Sequence, residues 1–579
     1  MDKMKLRERS LLRLKQMNKE FTDDPRWISG WMHHYVCPDC SSTLQFSGDL
    51  KEYFQDRFVC PHCGKTVSGE DYRKAWIYIY RQKHAEQIID AAVWKKDPAV
   101  LYSLIRYIDF YARHYEDFPM HGDRVGKGKI MSQSLDEAVF GMNLLRAVYY
   151  TADVLPEEKF LQWYRKLFLP MAEFLLPQEE RIHNIAVWVH CFAGMVGAVF
   201  RDPQLTERAL EGEYGLRQQF AEGLTKDGLW REGSLHYHYY TLEALTYLCE
   251  VCHDEELLRT LLRMYKAPLS LSFDGYHLPS LNDGWYPLDL SHYARQITVA
   301  AAFTGDSDLK EQVNKIRNND PEVLRDPALL PVKERSAPII QAEEEKHEIR
   351  FNERVAMLRG PVPMLLKSGS QVGTHLHRDA LSIVIDGFSN DLGTPGYGSP
   401  INKDWYRCSL AHDTVSIDGA QTGDWLQNRT VKTANGFLAE VEGSPRNRLT
   451  KAQRSLQVKD DTVIDRMEIV TPAEHCFDWL FHCEGEMTVS VPAGPASLGT
   501  EGSYRFFTDT RRILANGETV IAFACNNKSL EIKFIIDSET EAYIASTPGY
   551  PADRKRNTLL LRKRGKEAKF LVSWKLKKE

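Results

Sequence analysis

Two periodicities divide the chain. From about residue 72 to 318 apolar residues recur at i, i+3, i+4 and i+7, in segments such as AWIYIYRQKHAEQIIDAAVWKK, AVLYSLIRYIDFYARHYEDF, NIAVWVHCFAGMVGAVF and YYTLEALTYLCEVCHDEELLRTLLRMYKA. That spacing gives each of a series of helices one apolar stripe. Pro, Gly and Asp breaks separate them by short connections, which predicts helical hairpins arranged as an incomplete α/α toroid. A solenoid is the alternative, but the sequence has no fixed repeat period. After residue 349 strict alternation takes over, as in SIVIDG, TVSIDG, GFLAEVEG, TVIAFAC and LEIKFII. Alternation interrupted by Gly, Asn and Asp predicts an antiparallel β-sandwich. Residues 319–348 carry prolines and an acidic run and read as a linker.

The first 70 residues fit neither pattern. An amphipathic, charged helix over residues 1–20 leads into two CxxC pairs, Cys37 with Cys40 and Cys60 with Cys63, separated by 19 residues. Two such knuckles supply four thiolates to one tetrahedral zinc, as in a zinc ribbon. Four thiolates leave no open coordination position, so this metal is expected to serve stability. The expected layout is thus an α+β multidomain chain. A zinc-ribbon-like segment (1–70) precedes the toroid (71–318), the linker (319–348) and the sandwich (349–579).

Bulk properties narrow the function. A chain of 579 residues exceeds one ordinary core. Its 43% hydrophobic and 27% charged content is that of a folded soluble protein. A net charge of −6 argues against a general nucleic-acid binder. It leaves room for a polyanionic substrate if the site itself is basic. No apolar run is long enough to span a bilayer, and the N-terminus lacks a signal-peptide core. A cytoplasmic protein without a membrane partner is expected, and self-association is left open. The seven remaining cysteines sit mostly among apolar neighbours, as reduced core thiols do.

Candidate chemistry concentrates in five places. In THLHRDALSIVIDG, His375 and His377 are two apart, on one face of an expected strand, with Asp391 and His412 downstream. Imidazole and carboxylate suit zinc or manganese, so His377, Asp391 and His412 can cage a divalent metal and leave His375 free as an acid or base. The alternative is ordinary polar residues at strand ends. In RIHNIAVWVH, Asn184 and Trp188 share a helical face, with N-capping as the plain role for Asn184. DGLWREGSLHYHYYTLE packs Arg231, Glu232, Tyr237 and His238 around a helix start. Gln133 precedes another helix, and Asn282 and Asp283 sit in a loop where turn chemistry is the favoured role for Asp283.

These blocks, in this order, resemble the heparinase II/III-like polysaccharide lyases. The resemblance spans roughly residues 70 to 500 and rests most on THLHRDALSIVIDG…NDLG and SLAHDTVSIDG. It implies an α/α toroid followed by an antiparallel β-sandwich. It also implies β-elimination on uronate-containing glycans, glycosaminoglycan-type foremost. By position, Asn184 is implied as the neutraliser of the uronate carboxylate, Tyr237 as base, acid or both, and His375 as the imidazole that completes neutralisation or proton transfer. His377, Asp391 and His412 are implied as ligands of a structural metal. Several relatives carry His directly after the Asn, where this chain has Ile185. The assisting imidazole is therefore assigned to His190, with His183 and His238 as the alternatives. Gln133, Trp188, Arg231, His238, Arg378 and Arg407 are expected to line the substrate path, with Arg124 and Lys129 adding positive charge. A glycoside hydrolase, which needs two carboxylates, and a non-catalytic glycan binder are the competing readings.

Overall fold

The computed structural model describes residues 21–122, 126–325, 355–368, 375–419, 427–443 and 450–578, with Glu8, Leu11, Leu12, Leu14, Leu329 and Trp425. The expected N-terminal helix lies largely outside the described residues, as do most of the expected linker and Arg124.

The cysteine-bearing segment is a small module. It holds α1 (Leu50–Gln55), capped by the Asp49 carboxylate, and the hairpin β1 (Phe58–Val59) with β2 (Thr66–Val67). Its own core of Tyr35, Cys37, Leu44, Phe58 and Cys60 continues into Trp76 and Tyr80 of α2 (Glu70–Val93). The module is therefore docked on the helical half by buried aromatic surface, the largest apolar payload a short segment can offer.

Among the described residues, α2 begins a run of twelve helices. It continues through α3 (Pro98–His114), α4 (Ser134–Thr151), α5 (Glu157–Trp163), α6 (Leu169–Leu175), α7 (Asn184–Phe200), α8 (Pro203–Glu211), α9 (Leu216–Gly223), α10 (Leu235–Val251), α11 (Glu255–Lys266), α12 (Ala294–Thr304) and α13 (Ser307–Asn319). Helix α7 is apolar all round and buried from Asn184 to Gly197, as a helix without a polar face must be. It packs between α4, α8 and α10. A Cβ on Gly141 would lie 2.8 Å from the Phe192 ring, so only glycine permits the α4–α7 crossing. A two-residue hairpin, β3 (His277–Leu278) with β4 (Leu288–Asp289), frames the loop that carries Asn282 and Asp283.

The second half is β-structure. A three-stranded antiparallel sheet joins β5 (Val355–Leu358), β6 (Met364–Lys367) and β7 (Ser382–Ile385). Twelve strands form the large antiparallel sheet: β8 (Val415–Ile417), β9 (Gln427–Thr433), β10 (Gly436–Glu442), β11 (Lys451–Lys459), β12 (Thr462–Cys483), β13 (Glu486–Val489), β14 (Ala493–Pro495), β15 (Thr508–Ile513), β16 (Gly517–Cys525), β17 (Lys528–Ile536), β18 (Glu541–Pro548) and β19 (Lys555–Lys578). Its spine is the β12–β19 pair, interrupted by a bulge between Val470 and His475. The two sheets share one core, in which Met364, Ile383, Phe437, Trp479 and Trp574 are buried.

The halves meet at the Asn282–Gly284 loop. The Asp283 N–H donates to the His375 carbonyl at 3.1 Å and the Thr394 N–H to the Gly284 carbonyl at 2.8 Å. Gly393 has φ +62°, and a Cβ there would fall 2.0 Å from the Gly284 oxygen, so the junction requires glycine. His375 and His377 lie in a turn ahead of β7 and not in the expected strand. Their backbone is committed to the loop of the other half, which a strand ladder would forbid.

Candidate active site

Helix α7 starts at Asn184, and His183 occupies the N-cap, its Nδ1 accepting from the Ile185 N–H at 3.3 Å. The capping role considered for Asn184 therefore belongs to its neighbour. Asn184 is 1% exposed and bound by one carboxylate: its N–H donates to Glu232 Oε1 at 2.8 Å and its Nδ2 to Oε2 at 2.6 Å. Glu232 also stands 3.7 Å from His183 Nε2 and 3.5 Å from His375 Nε2. Burial lowers His183 to about 4, which keeps its imidazole neutral.

Tyr237, in the first turn of α10, lies flat on His375 with ring centroids 3.5 Å apart and planes 12° from parallel. Its hydroxyl is 2.8 Å from that of Tyr397, which is 2.8 Å from His375 Nδ1 and donates to Asp283 Oδ2 at 3.1 Å. Burial pushes both phenols up, so the resting phenols are neutral. Asp283 is also buried, yet the imidazoles of His375 and His377 against it hold its carboxyl well below the usual carboxylate range. A phenol–phenol–imidazole chain thus ends on a fixed negative charge.

The second cluster shares that charge. His377 Nε2 is 3.0 Å from Asp283 Oδ1, while its Nδ1 lies 3.5 Å from Asp391 Oδ1 and has no hydrogen-bond partner. His412 Nε2 faces the Tyr406 carbonyl at 2.9 Å, and its Nδ1 is 3.9 Å from Asp391 Oδ1 and 3.7 Å from Asp379 Oδ2. In each ring Nε2 faces an oxygen and Nδ1 faces the cluster centre, so the tautomer with its proton on Nε2 turns the Nδ1 lone pair inward. That tautomer suits metal ligation. One ligand atom from each of His377, Asp379, Asp391 and His412 falls within 4.8 Å of the others. Lys367 Nζ contacts Asp379 and Asn282 and lies 3.9 Å from Asp391.

The structure brings together Asn184, Tyr237 and His375, and separately His377, Asp391 and His412. It separates others. His190 is 3% exposed, six residues and so about 9 Å along α7 from Asn184, against the Ala209 backbone of α8. The half-buried imidazole beside Asn184 is His183. His238 is turned about 100° around α10 from Tyr237, where its Nδ1 accepts from the Trp230 N–H at 3.0 Å and its Nε2 meets the Met264 carbonyl at 2.9 Å. It is a buried bridge with no face toward substrate. Trp188 is 2% exposed against Tyr240, with ring centroids 5.1 Å apart. Gln133 sits buried at the N-cap of α4, beside Asp136. Trp188 is part of the helical core, and Gln133 is buried at a helix start.

Of the arginines, Arg407 donates to the Leu376 carbonyl at 2.7 Å and stands 3.9 Å from Asp283. The Arg378 N–H bonds the Arg407 carbonyl. Arg231 is half-buried next to Glu232. Lys129 pairs with Glu116 at 2.7 Å, outside the cluster.

Sequence reasoning did not reach Tyr397, Asp379 or Lys367, and it noted Glu232 and Asp283 without giving either a role in the elimination. Tyr397 sits in GTPGYGSP, a stretch that reads only as a turn. Asp379 was visible in THLHRD, two residues past His377.

Residues 353–575 match the heparinase II/III-like C-terminal family and residues 115–264 the alginate lyase family. An alginate lyase of Stenotrophomonas maltophilia (strain K279a) is 23% identical over 472 residues, 69% of this chain and 63% of its own length. An exo-oligoalginate lyase of Saccharophagus degradans (strain 2-40) is 22% identical over 351 residues, 53% of this chain and 47% of its own. The chain thus spans less than two thirds of either curated relative. The heparan sulfate lyase HepC from Pedobacter heparinus superposes with a TM-score of 0.56 at 14% identity, over 99% of this chain and 88% of that one. A crystal structure of heparinase III gives 0.57 at 13% identity, over 86% and 76%. These likenesses show a shared fold, a helical N-terminal part followed by a large antiparallel sheet. Two family models thus match in the chain order of that fold, the alginate lyase family in the helical half and the heparinase II/III-like C-terminal family in the β-half.

Proposed function

We propose that the protein cleaves uronate-containing glycans by β-elimination and leaves a 4,5-unsaturated uronate. One observation carries the reading: the Tyr237–Tyr397–His375 chain ends beside the Asn184–Glu232 pair where the two halves meet. Elimination needs a neutralised carboxylate that makes C5 acidic, a base for the C5 proton and an acid for O4. Asn184 Nδ2 keeps a second N–H beyond the one given to Glu232, a donor for the carboxylate and the enolate that develops from it. Tyr397 donates toward Asp283 or His375, which lets Tyr237 donate to Tyr397 in turn. Passing a proton along this chain to the His375 imidazole leaves a phenolate at Tyr237. The imidazolium that results is stacked on an aromatic face, which favours its charge. The phenolate takes the C5 proton. The enolate then expels O4, which takes the same proton back from Tyr237.

The curated relatives carry the names alginate lyase and exo-oligoalginate lyase, and Arg407 is engaged within the fold. Both points support an unsulfated, alginate-type uronate oligomer ahead of the glycosaminoglycans expected from the sequence. A panel of alginate, hyaluronan, chondroitin and heparan substrates, read by ultraviolet absorbance and product size, tests this. Alginate oligomers should give the strongest absorbing product. Digestion to fragments that do not absorb would establish a hydrolase and overturn the lyase reading. A chain that binds these glycans but turns none over would be a binding protein.

For the second cluster, we propose a zinc or manganese ion on His377, Asp391 and His412, with Asp379 completing the donor set. The buried, unpartnered Nδ1 of His377 supports it, because such an atom costs about 1–3 kcal/mol unless something binds it. The ion would supply a fixed positive charge that ties the His375–Asp379 segment to the sheet. The elimination itself uses the chain's own side chains.

A further inference from the structure

The four-cysteine module reaches the active site. Its sulfurs lie 3.6 Å apart for Cys37–Cys63, 3.5 Å for Cys40–Cys60 and 3.7 Å for Cys40–Cys63. Four thiolates around one zinc at bonds of about 2.3 Å stand about 3.8 Å apart, whereas a disulfide brings two sulfurs to about 2.05 Å. The two CxxC turns repeat each other. The Ser41 N–H bonds the Cys37 carbonyl and the Gly64 N–H the Cys60 carbonyl, both at 3.0 Å. The residue after each second cysteine is left-handed, Ser41 at φ +62° and Gly64 at +74°. A non-glycine residue held there is strained, and a metal gripping both knuckles accounts for holding it.

One knuckle is fastened to the loop that bears Tyr397. Ser399 Oγ donates to Ser41 Oγ at 2.8 Å, next to Cys40. A Cβ on Gly398 would fall 1.7 Å from the His33 carbonyl oxygen, so the loop backbone presses against the module. The Tyr397 ring stacks on Trp31, with centroids 5.8 Å apart and planes 17° from parallel, and His33 meets it edge-on at 4.8 Å. The other knuckle is tied to the β-half by His62 and Asp553, 2.6 Å apart.

We propose that Cys37, Cys40, Cys60 and Cys63 bind one zinc ion, and that this zinc, through Trp31, His33 and Ser41, sets the position of the Tyr397 hydroxyl in the proton chain. The module then acts as a strut of the active site, and Trp31, His33 and Ser41 are positioning residues. The part concerning Tyr397 rests on the lyase reading.

The test uses the full-length chain. Zinc is counted by elemental mass spectrometry, amide exchange is followed in peptides covering 394–399, and kcat and KM are measured on the best uronate substrate. Cys63→Ser should lose one zinc equivalent that Cys525→Ser retains. It should speed exchange at 394–399 at least tenfold and lower kcat about tenfold to a hundredfold with KM within twofold. Trp31→Ala should keep the zinc yet lower kcat similarly, and it decides the matter if Cys63→Ser does not fold. Equal zinc in the parent chain and Cys63→Ser overturns the metal site. Loss of that zinc with unchanged loop exchange and kcat overturns the coupling, as does parental behaviour of Trp31→Ala. If no uronate glycan is cleaved, the lyase reading fails, and zinc content and loop exchange still decide this one.

Discussion

Two clusters of imidazole and carboxylate stand on either side of Asp283, built from the same residue types and set to different tasks by burial. In the first, the side chains of His183 and His375 are 14% and 13% exposed around Glu232, and two phenols stand beside them. In the second, the side chains of His377, Asp379, Asp391 and His412 are at most 4% exposed, and a lysine balances the charge. A partly open imidazole next to hydroxyls can exchange protons with a bound ligand. A sealed one can only hold structure or a metal. His375 and His377 are two residues apart, so a single turn assigns them to opposite sides of the shared carboxylate.

The largest effect that can break this comparison comes from the open side. Tyr237→Phe removes the hydroxyl that hands protons to and from the substrate. It should lower kcat by about 10³–10⁴ while substrate binding and melting temperature stay near parental. A kcat within tenfold of the parent would move the proton transfer elsewhere and end the functional division drawn here.

Asp283→Asn tests the wall between the clusters. It removes the charge held by His375, Tyr397 and His377 together. Turnover should fall about 10²–10³, and stability by about 3 kcal/mol, the cost of leaving a buried partner unpaired. Kinetics and thermal melting on one sample read both. Loss of only one of the two would show that the clusters are independent.

His377→Ala sharpens the sealed side. It should cost about 3 kcal/mol or more of stability and release the ion proposed there. Turnover should drop only about tenfold, through displacement of His375. A chelator that strips this ion from the parent chain should reproduce the variant. A loss of turnover as deep as that of Tyr237→Phe, with the fold intact, would place the sealed cluster in the reaction.

The layout was legible because it depends on local periodicity. The 3.6-residue stripes of α3 and α11 and the alternation of β10, β16 and β17 read directly from the chain, as did the pairing of the CxxC knuckles. The site was legible only where a residue type stood out against its surroundings: Asn184 at an apolar helix start, Tyr237 among aromatics, His375 and His377 in one short motif. Tyr397 and Asp283 were hidden because each lies in a glycine-rich turn whose sequence is explained by backbone geometry alone. Their role arises from contacts 160 residues apart in the case of Tyr237–Tyr397 and 92 apart for Asp283–His375. No local pattern encodes such distances. His190 misled for the opposite reason. An imidazole one or two turns from Asn184 reads as a partner, yet helix α7 is buried all round and carries it to α8.

The smallest expected effect separates core imidazoles from those of the open cluster. Burial lowers His190 and His238 to about 4 and His236 to about 3, so all three stay neutral in the folded protein. In the unfolded chain they titrate near 6.5. Between about pH 6.5 and 4 the unfolded state therefore binds more protons, and stability must fall as the pH drops through that window. Each such histidine can steepen the acid limb by up to about 1.4 kcal/mol per pH unit. His190→Leu removes one of them. The variant should gain melting temperature on the parent at pH 5, lose that gain by pH 8, and keep kcat within about twofold, because His190 lies away from the proton chain. A catalytic His190 demands the reverse, a large loss of kcat at every pH with no change in the acid slope, and thermal melts and kinetics at pH 5 and pH 8 distinguish the two.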